Sequence, residues 1–436
     1  MSEPILEQVL AGLARAGFDQ AEVYWKRGKT RRVELGEHDG AAVIAQEEGW
    51  AARAGDRRGS FFAAATGAPQ ADPQWPEPCG QALHLYAPAS PAAAAPPPLV
   101  EAPLLNEGEA RGLLEAIAHD LAAELPGARL RRAVLEEGAS ESRLSSSRGV
   151  AAAWTGRAAS LRLEAACPGE RRIRAAVELA EREAASLRPA LIARRLADRL
   201  LVAQSGSPPE RDRGEFLLAP PLGAKLLAAL LPLFVGPQAP QRVAPLRDRR
   251  GRVGSSVLTL IDDGAHPGGV LAAPVDGEGV PTREIVLVEE GSFRQPLLTW
   301  REAQPPQTLP AGCSRRASWK DLPGRGPTHF FLRPEPQNAV AALLGGVARG
   351  YYLLDATGPA RVALDEDRFT VPVCGFAVQS GRATAPVAGA SLVGAVSGLL
   401  RGVQAVGRDL TFLPLDGMIG SPTLFATGLE IRRAGG

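Results

Sequence analysis

Between Tyr86 and Pro103 the chain reads YAPASPAAAAPPPLVEAP. Proline fixes φ and removes a backbone donor, so neither a helix nor an interior strand can run through this stretch. It behaves as a semi-rigid spacer, and whatever folds must fold on either side of it. The chain has 436 residues, too many for one ordinary core, so two or three units are expected. A second break, QSGSPPERDRG, is marked by Gly, Ser and Pro. The expected division is an N-terminal domain over residues 1–85, a Pro/Ala-rich linker over 86–106, a middle domain over 107–204 and a C-terminal domain over 214–436.

Periodicity fills these units. Ile5, Val9, Leu10 and Leu13 share one helical face. AEVYWKRG, TRRVELGEHDG, AAVIAQEEGWAARAG and DRRGSFFAAATG then read as short strands divided at glycines, with Asp39-Gly40 as a hairpin signal. In the middle unit Leu113, Leu114, Ile117 and Leu121 predict a helix over 108–124. Several alternating segments follow, and a long helix over about 181–203 closes the unit. The last unit opens with a helix near Ala224–Leu231. Thereafter short strands and Gly/Pro turns dominate, with helices expected at Gln337–Ala348 and Leu392–Val406. The fold class is α+β: a helix with an antiparallel sheet, a middle α+β domain and a larger β-rich C-terminal domain.

Composition excludes several functions. The apolar share of 45% and charged share of 22% are those of a folded globular chain. A net charge of +1 gives no field for nucleic acid or an acidic membrane. The Arg-rich runs at Arg171-Arg172-Ile173-Arg174 and Arg247–Arg252 lack interleaved aromatics and read as solvated faces. Cys79, Cys167, Cys313 and Cys374 form no CxxC pair, which excludes a zinc ribbon or a thioredoxin-like motif. Cys313 has arginines beside it that would lower its pKa, yet a partly buried inert thiol is the commoner case. Ser145-Ser146-Ser147 has no G-x-S-x-G elbow and reads as a turn. Residues 1–16 lack a basic start and an apolar run, and the stretch Leu226–Val235 is too short to span a bilayer. A cytoplasmic protein is expected.

Four stretches carry a more specific signal. Ala21-Glu22-Val23-Tyr24 is followed by Gly49-Trp50-Ala51-Ala52-Arg53 and Arg58-Gly59-Ser60-Phe61. Ile261-Asp262-Asp263 precedes Val275-Asp276-Gly277-Glu278-Gly279-Val280-Pro281-Thr282-Arg283, then Val288–Phe293. Gly375-Phe376, Gly381, Pro386-Val387 and Gly389-Ala390-Ser391-Leu392 come next. Val406-Gly407-Arg408-Asp409-Leu410 and Gly420-Ser421-Pro422 close the series. In order and spread these resemble the TldD/PmbA (TldD/TldE) family, although the family's Asn-Ser-x-Gly turn stands here as Ser146-Ser147-Arg148-Gly149. Asp276, Glu278, Gly279, Arg283, Gly389, Gly407 and Asp409 are the motif residues expected to serve structure or a partner contact. Gly279 fits a turn needing positive φ; Gly389 and Gly407 read as strand–helix junctions.

The resemblance implies a choice between two subunit types. The catalytic type carries HExxxH on a helix of its C-terminal unit, with a later Cys completing a zinc site. Here the corresponding segment is FLLAPPLGAKLLAALLPLFVGPQAPQ, without His and with no Glu after Glu215. LTFLPLDGMIG, where the Cys is expected, has none. His38, His84, His119, His266 and His329 show no i,i+4 or i,i+5 pair. Asp262-Asp263-Gly264-Ala265-His266 lacks EF-hand spacing and reads as a turn. No catalytic residue, metal site or cofactor is therefore expected on this chain. The resemblance implies a non-catalytic subunit of a zinc metallopeptidase complex, partnered by a zinc-bearing TldD-like homologue and helping to hold unfolded peptide. Family roles include processing of a peptide-antibiotic precursor, cleavage of an antitoxin and modulation of DNA gyrase. The alternative is a stand-alone peptide- or protein-binding scaffold, a homodimer with no peptidase partner.

Overall fold

Helix α1 (Glu3–Arg15) buries Leu6, Val9 and Leu13, with Ile5 and Leu10 packed at the edge of the same cluster. The computed structural model describes residues 3–36, 41–70, 74–88, 104–167, 173–210, 212–303 and 312–434. Asp39-Gly40, His38, Arg171-Arg172 and most of the Pro/Ala segment lie outside the described residues.

Strands β1 (Gln20–Gly36), β2 (Ala41–Asp56) and β3 (Gly59–Thr66) precede α2 (Glu107–Glu124). Helix α2 starts at a capping box, in which Asn106 accepts from the Glu109 backbone and Glu109 reaches back to Asn106. Next come β4 (Arg129–Ser146), β5 (Ala151–Cys167), β6 (Ile173–Glu181) and α3 (Pro189–Ser205). The strands join in one antiparallel sheet, ordered β3-β2-β1-β4-β5-β6. This corrects the division into residues 1–85 and 107–204: β1 pairs with β4 from Glu22↔Ser146 to Gly36↔Arg132, so both segments belong to one sheet. The proline-rich stretch connects two parts of one unit. The strands are also longer than the glycines suggest. Gly28 lies inside β1 opposite Ser140, and the expected helix over 181–203 begins only at Pro189, because β6 runs on to Glu181.

Alternation gives this sheet two unlike faces. Val23, Trp25, Val33, Leu135, Leu161 and Leu163 point to one side, where α1, α2 and α3 cover them. Glu22, Tyr24, Lys26, Gly28 and Thr30 alternate with these along β1 and point to the other side, toward the C-terminal unit.

That unit runs β7 (Glu215–Leu218), α4 (Pro220–Ala229), α5 (Ala239–Val243), β8 (Leu260–Asp263), β9 (Glu284–Glu289), β10 (Ser292–Phe293), β11 (Ser314–Arg315) and β12 (Gly324–Arg325). It continues through β13 (His329–Leu332), α6 (Val340–Gly345), β14 (Arg349–Ala356), β15 (Arg361–Ala363), β16 (Arg368–Gln379) and β17 (Arg382–Gly394). It ends with α7 (Val396–Gly402), β18 (Val403–Val406), β19 (Thr411–Leu415), β20 (Gly417–Ser421), β21 (Leu424–Ala426) and β22 (Glu430–Arg433). One sheet is ordered β10-β9-β8-β13-β20-β19, and a second β18-β21-β7-β14-β16-β17-β22 with β15 beside β16. The largest apolar core lies between them, around Phe216, Phe234, Phe330, Leu353 and Ile419. Among the described residues no helix is long and apolar enough to cross a membrane.

Candidate functional site

Asp276 opens the best-defined turn in the C-terminal unit. Its Oδ1 accepts from the backbone N–H of Glu278 at 2.8 Å and of Val280 at 3.0 Å, and its Oδ2 from Ser314 at 3.0 Å. Gly279 has φ +83°, and a Cβ there would meet the Val150 methyls at 3.0 Å. Only glycine combines that conformation with that contact. Glu278 accepts from Trp300 N at 2.8 Å. Burial raises the Asp276 pKa to about 7 and raises that of Glu278, which Arg53 draws back.

This turn meets the N-terminal sheet through three buried charges. Arg53 on β2 donates to both carboxylate oxygens of Glu22 on β1, at 3.2 and 3.0 Å. Arg316 donates to the same carboxylate, to Gly277 O at 3.2 Å and to Asp321 O at 3.1 Å, and its cation lies 5.0 Å above the Tyr24 ring. Burial pushes the Glu22 carboxyl up, but Arg53 and Arg316 outweigh it and hold it below the usual range. Glu22 and Arg53 come from the opening motif and Asp276 and Glu278 from the middle one, so the structure brings two distant stretches into one contact.

The other motif residues stand apart. Arg283 is exposed, just before β9. Gly407 directly follows β18, and a Cβ there would collide with Asp409 Oδ1 at 2.6 Å. Asp409 accepts from Thr423 N at 2.9 Å and Thr423 Oγ1 at 2.7 Å. Gly389 corrects the junction reading: it sits inside β17 with open space beside it, and its φ of +61° is what requires glycine. The arginine reading of Cys313 is also corrected. The thiol is fully buried, and burial, then Asp262, Asp276 and Glu278, push it well above its ordinary pKa while Arg316 is committed to Glu22.

By the resemblance, the segments expected to correspond to the family's zinc ligands include α4 and the strand pair β19–β20, and α4 packs on both strands. A Cβ on Gly223 would stand 2.2 Å from Ser421 Oγ, whose hydroxyl donates to Pro422 O at 2.8 Å. The neighbouring void, about 40 Å³, is lined by Leu226, Leu230, Phe234, Leu260, Leu332 and other apolar residues. Zinc needs imidazole, thiolate or carboxylate donors at about 2.0–2.3 Å, and these residues do not fit it. Among the described residues no three His, Cys, Asp or Glu side chains gather as a metal site.

One pairing escaped the sequence because it is long-range. His266 and His329 lie with ring centroids 5.2 Å apart, packed with Phe331 and Phe412. His329 Nδ1 bonds Asp263 O at 3.0 Å, and its Nε2 accepts from Leu271 N at 3.3 Å, so both nitrogens are spent on backbone. Burial lowers its pKa to about 4, which keeps the ring neutral. Asp262 and Asp263 are structural as expected: Asp262 accepts two hydrogen bonds from Thr328, and Asp263 holds the turn through Ala265 N.

Comparison with known proteins adds identity to this geometry. Residues 212–433, just over half of the chain, match the family model described as the PmbA/TldA metallopeptidase C-terminal domain. A "Metalloprotease TldD homolog" of Buchnera aphidicola (from Schizaphis graminum) is 26% identical over 170 residues, covering 39% of this chain and 35% of that protein. The matched part thus spans about a third of that relative. The crystal structure of TldE from Thermococcus kodakarensis superposes with a TM-score of 0.82 at 20% identity, covering 99% of this chain and 100% of that one. A Thermotoga maritima structure, described as a candidate modulator of a DNA gyrase, gives 0.80 at 16% identity, covering 98% and 99%. At such identities the two structures show a shared fold.

Proposed function

Because this chain belongs to the PmbA/TldD metallopeptidase family, we propose that it acts as the metal-free subunit of a peptidase complex. In this reading it pairs with a zinc-bearing homologue, takes no cofactor itself and helps to hold unfolded peptide substrate. The observation that carries it is the contact of α4 with β20: Gly223 and Ser421 pack directly together, and only apolar side chains line the small space beside them. A hydrolytic zinc needs three protein donors and an open position for water.

The peptide-holding part draws support from the second face of the N-terminal sheet. Lys26, Gly28, Glu47, Gly138, Gly156 and Trp319 line a trough of about 400 Å³ between that face and the C-terminal loops. Small side chains along its floor leave room for an extended backbone.

The test is metal analysis and peptide cleavage on the chain alone and co-expressed with a homologue carrying HExxxH. The chain alone is expected to hold far less than one zinc and to leave unfolded peptide intact, with cleavage appearing in the pair. One tightly bound zinc per isolated chain overturns the proposal.

A further inference from the structure

A second cavity, about 340 Å³, lies between α3, the end of β6 and the loop after β8. That volume is within the range of about 300–1,000 Å³ typical of small-molecule sites. Arg182, Arg188, Arg195, His266 and His329 contribute to its wall, and the exposed Glu181 is the one carboxylate among the lining residues.

Most of these groups are already engaged. Arg182 donates to Gly269 O at 3.2 Å, fastening the loop, and both nitrogens of His329 are bonded to backbone. His266 Nδ1 stands 3.6 Å from Asp263 Oδ2. Arg199, one turn along α3, pairs with Asp355 at 2.6 Å. Arg195 differs. Half-buried in the cavity wall, it makes no hydrogen bond or ion pair among the described residues. Burial, and then the like charge of Arg199, lower its pKa, outweighing the through-space attraction of Tyr352, Asp409 and Glu181. A guanidinium carries five donors in a planar fork, and desolvating it without an acceptor costs stability. By contrast, Arg53 and Arg316 are both satisfied by Glu22.

Ser186 and Thr411 add hydroxyls to the lining, and Ile192, Val270, Leu410, Phe412 and Met418 give the same cavity an apolar part. A bare inorganic anion leaves that part of the wall uncovered. We infer that this cavity binds an organic carboxylate: the acid group takes the Arg195 fork in a bidentate pair, and an apolar body lies against Ile192, Phe412 and Met418. Two sources offer this chemistry, the C-terminal carboxylate of a peptide ending in an apolar residue and a small free carboxylic acid. The peptide source rests on the peptide-holding reading above; the carboxylate site does not.

Titration calorimetry on the full chain separates these. The probes are N-acetyl-phenylalanine, a short unfolded peptide with a free C-terminal phenylalanine, and the same peptide as its C-terminal amide. The acid peptide is expected to bind at least about tenfold more tightly than the amide, since a charge-assisted bidentate pair is lost. Arg195→Met removes that preference and raises the thermal unfolding midpoint, an outcome that a merely structural arginine cannot give. Arg195→Lys keeps the charge without the fork and retains a weaker preference, while Arg249→Met, at an exposed turn, changes neither reading. If N-acetyl-phenylalanine binds through Arg195 and the peptide does not, the carboxylate site stands and the peptide source falls. Equal binding of acid and amide peptides, with no Arg195-dependent binding of the small acid, overturns the site while leaving the peptide-holding reading intact. No binding by any probe also overturns the site.

Discussion

Two sets of arginines stand where the N-terminal sheet and its helices meet the C-terminal unit, and they are settled in opposite ways. Arg53 and Arg316 converge on Glu22, and Arg316 also reaches two backbone carbonyls. Arg195 faces a cavity and makes no hydrogen bond or ion pair among the described residues, with only the through-space attraction of Tyr352, Asp409 and Glu181, while its neighbour Arg199 holds Asp355. Both arrangements take a cation out of water. In the first the loss is offset by a carboxylate and carbonyls, so the residues lock two units together. In the second it is not, so the residue weakens the fold until an anion arrives. Whether a buried charge holds a structure or awaits a ligand depends on its partners, not on its burial.

The sharpest way to break this contrast is Glu22→Gln, which keeps the shape and removes the charge. It leaves two buried guanidinium groups facing each other across a neutral amide. Removing one partner of a buried ion network costs about 3–5 kcal/mol. Urea unfolding followed by tryptophan fluorescence measures it. A loss below about 1 kcal/mol, the range of surface pairs, would show that water reaches the network and would erase the distinction from Arg195.

A smaller effect tests the closed contact of α4 with β20. Gly223→Ala forces a methyl to within 2.2 Å of Ser421 Oγ unless the helix shifts. Overpacking of this kind costs about 1–3 kcal/mol. Thermal unfolding gives the answer: an unchanged midpoint would mean that this wall yields easily, and the packing argument against metal donors there would weaken.

The sequence revealed what is local. The helix predicted over 108–124 is α2, found at Glu107–Glu124, because period and capping box agree. The Asp276–Gly279 turn was visible because an Asx turn and a positive-φ glycine leave a signature in adjacent residues. The apolar run at Leu392–Val406 misled, since short apolar runs do not distinguish strand from helix; β17, α7 and β18 share it. Gly28 reads as a strand end, yet it lies mid-strand; Gly49 lies inside its strand as expected, and a Cβ on it would stand 2.2 Å from the Trp319 ring. The packing partner that demands that glycine is remote in sequence. For the same reason the proline-rich stretch suggested a domain boundary: it shows where no strand runs, not that β1 will pair with β4. Arg316, Arg195 and the His266–His329 contact depend wholly on such distant pairings.

The acids repeat the arginine contrast, and there the expected effect is smallest. Asp262 is fully buried like Glu22, but it is satisfied by Thr328 alone, through its N–H at 2.8 Å and its hydroxyl at 2.9 Å. Burial raises its pKa from 3.8 to about 7, whereas Glu22 is held low by its two arginines. Between those two Asp262 values the folded chain keeps a proton that the unfolded chain has released. Stability therefore falls as pH rises through this window, and is flat above it. Asp262→Asn keeps the acceptor for Thr328 N–H, and the Thr328 hydroxyl can rotate to accept from the new amide. The substitution removes the titration, so the variant should gain about 1 kcal/mol on wild type between roughly pH 6 and pH 7. Paired urea titrations at the two pH values measure this gain, because Asp276, also near 7, contributes equally to both chains. A gain of zero would mean that Asp262 stays ionised when folded, and hydrogen bonds alone would then have matched what Glu22 achieves only with two cations.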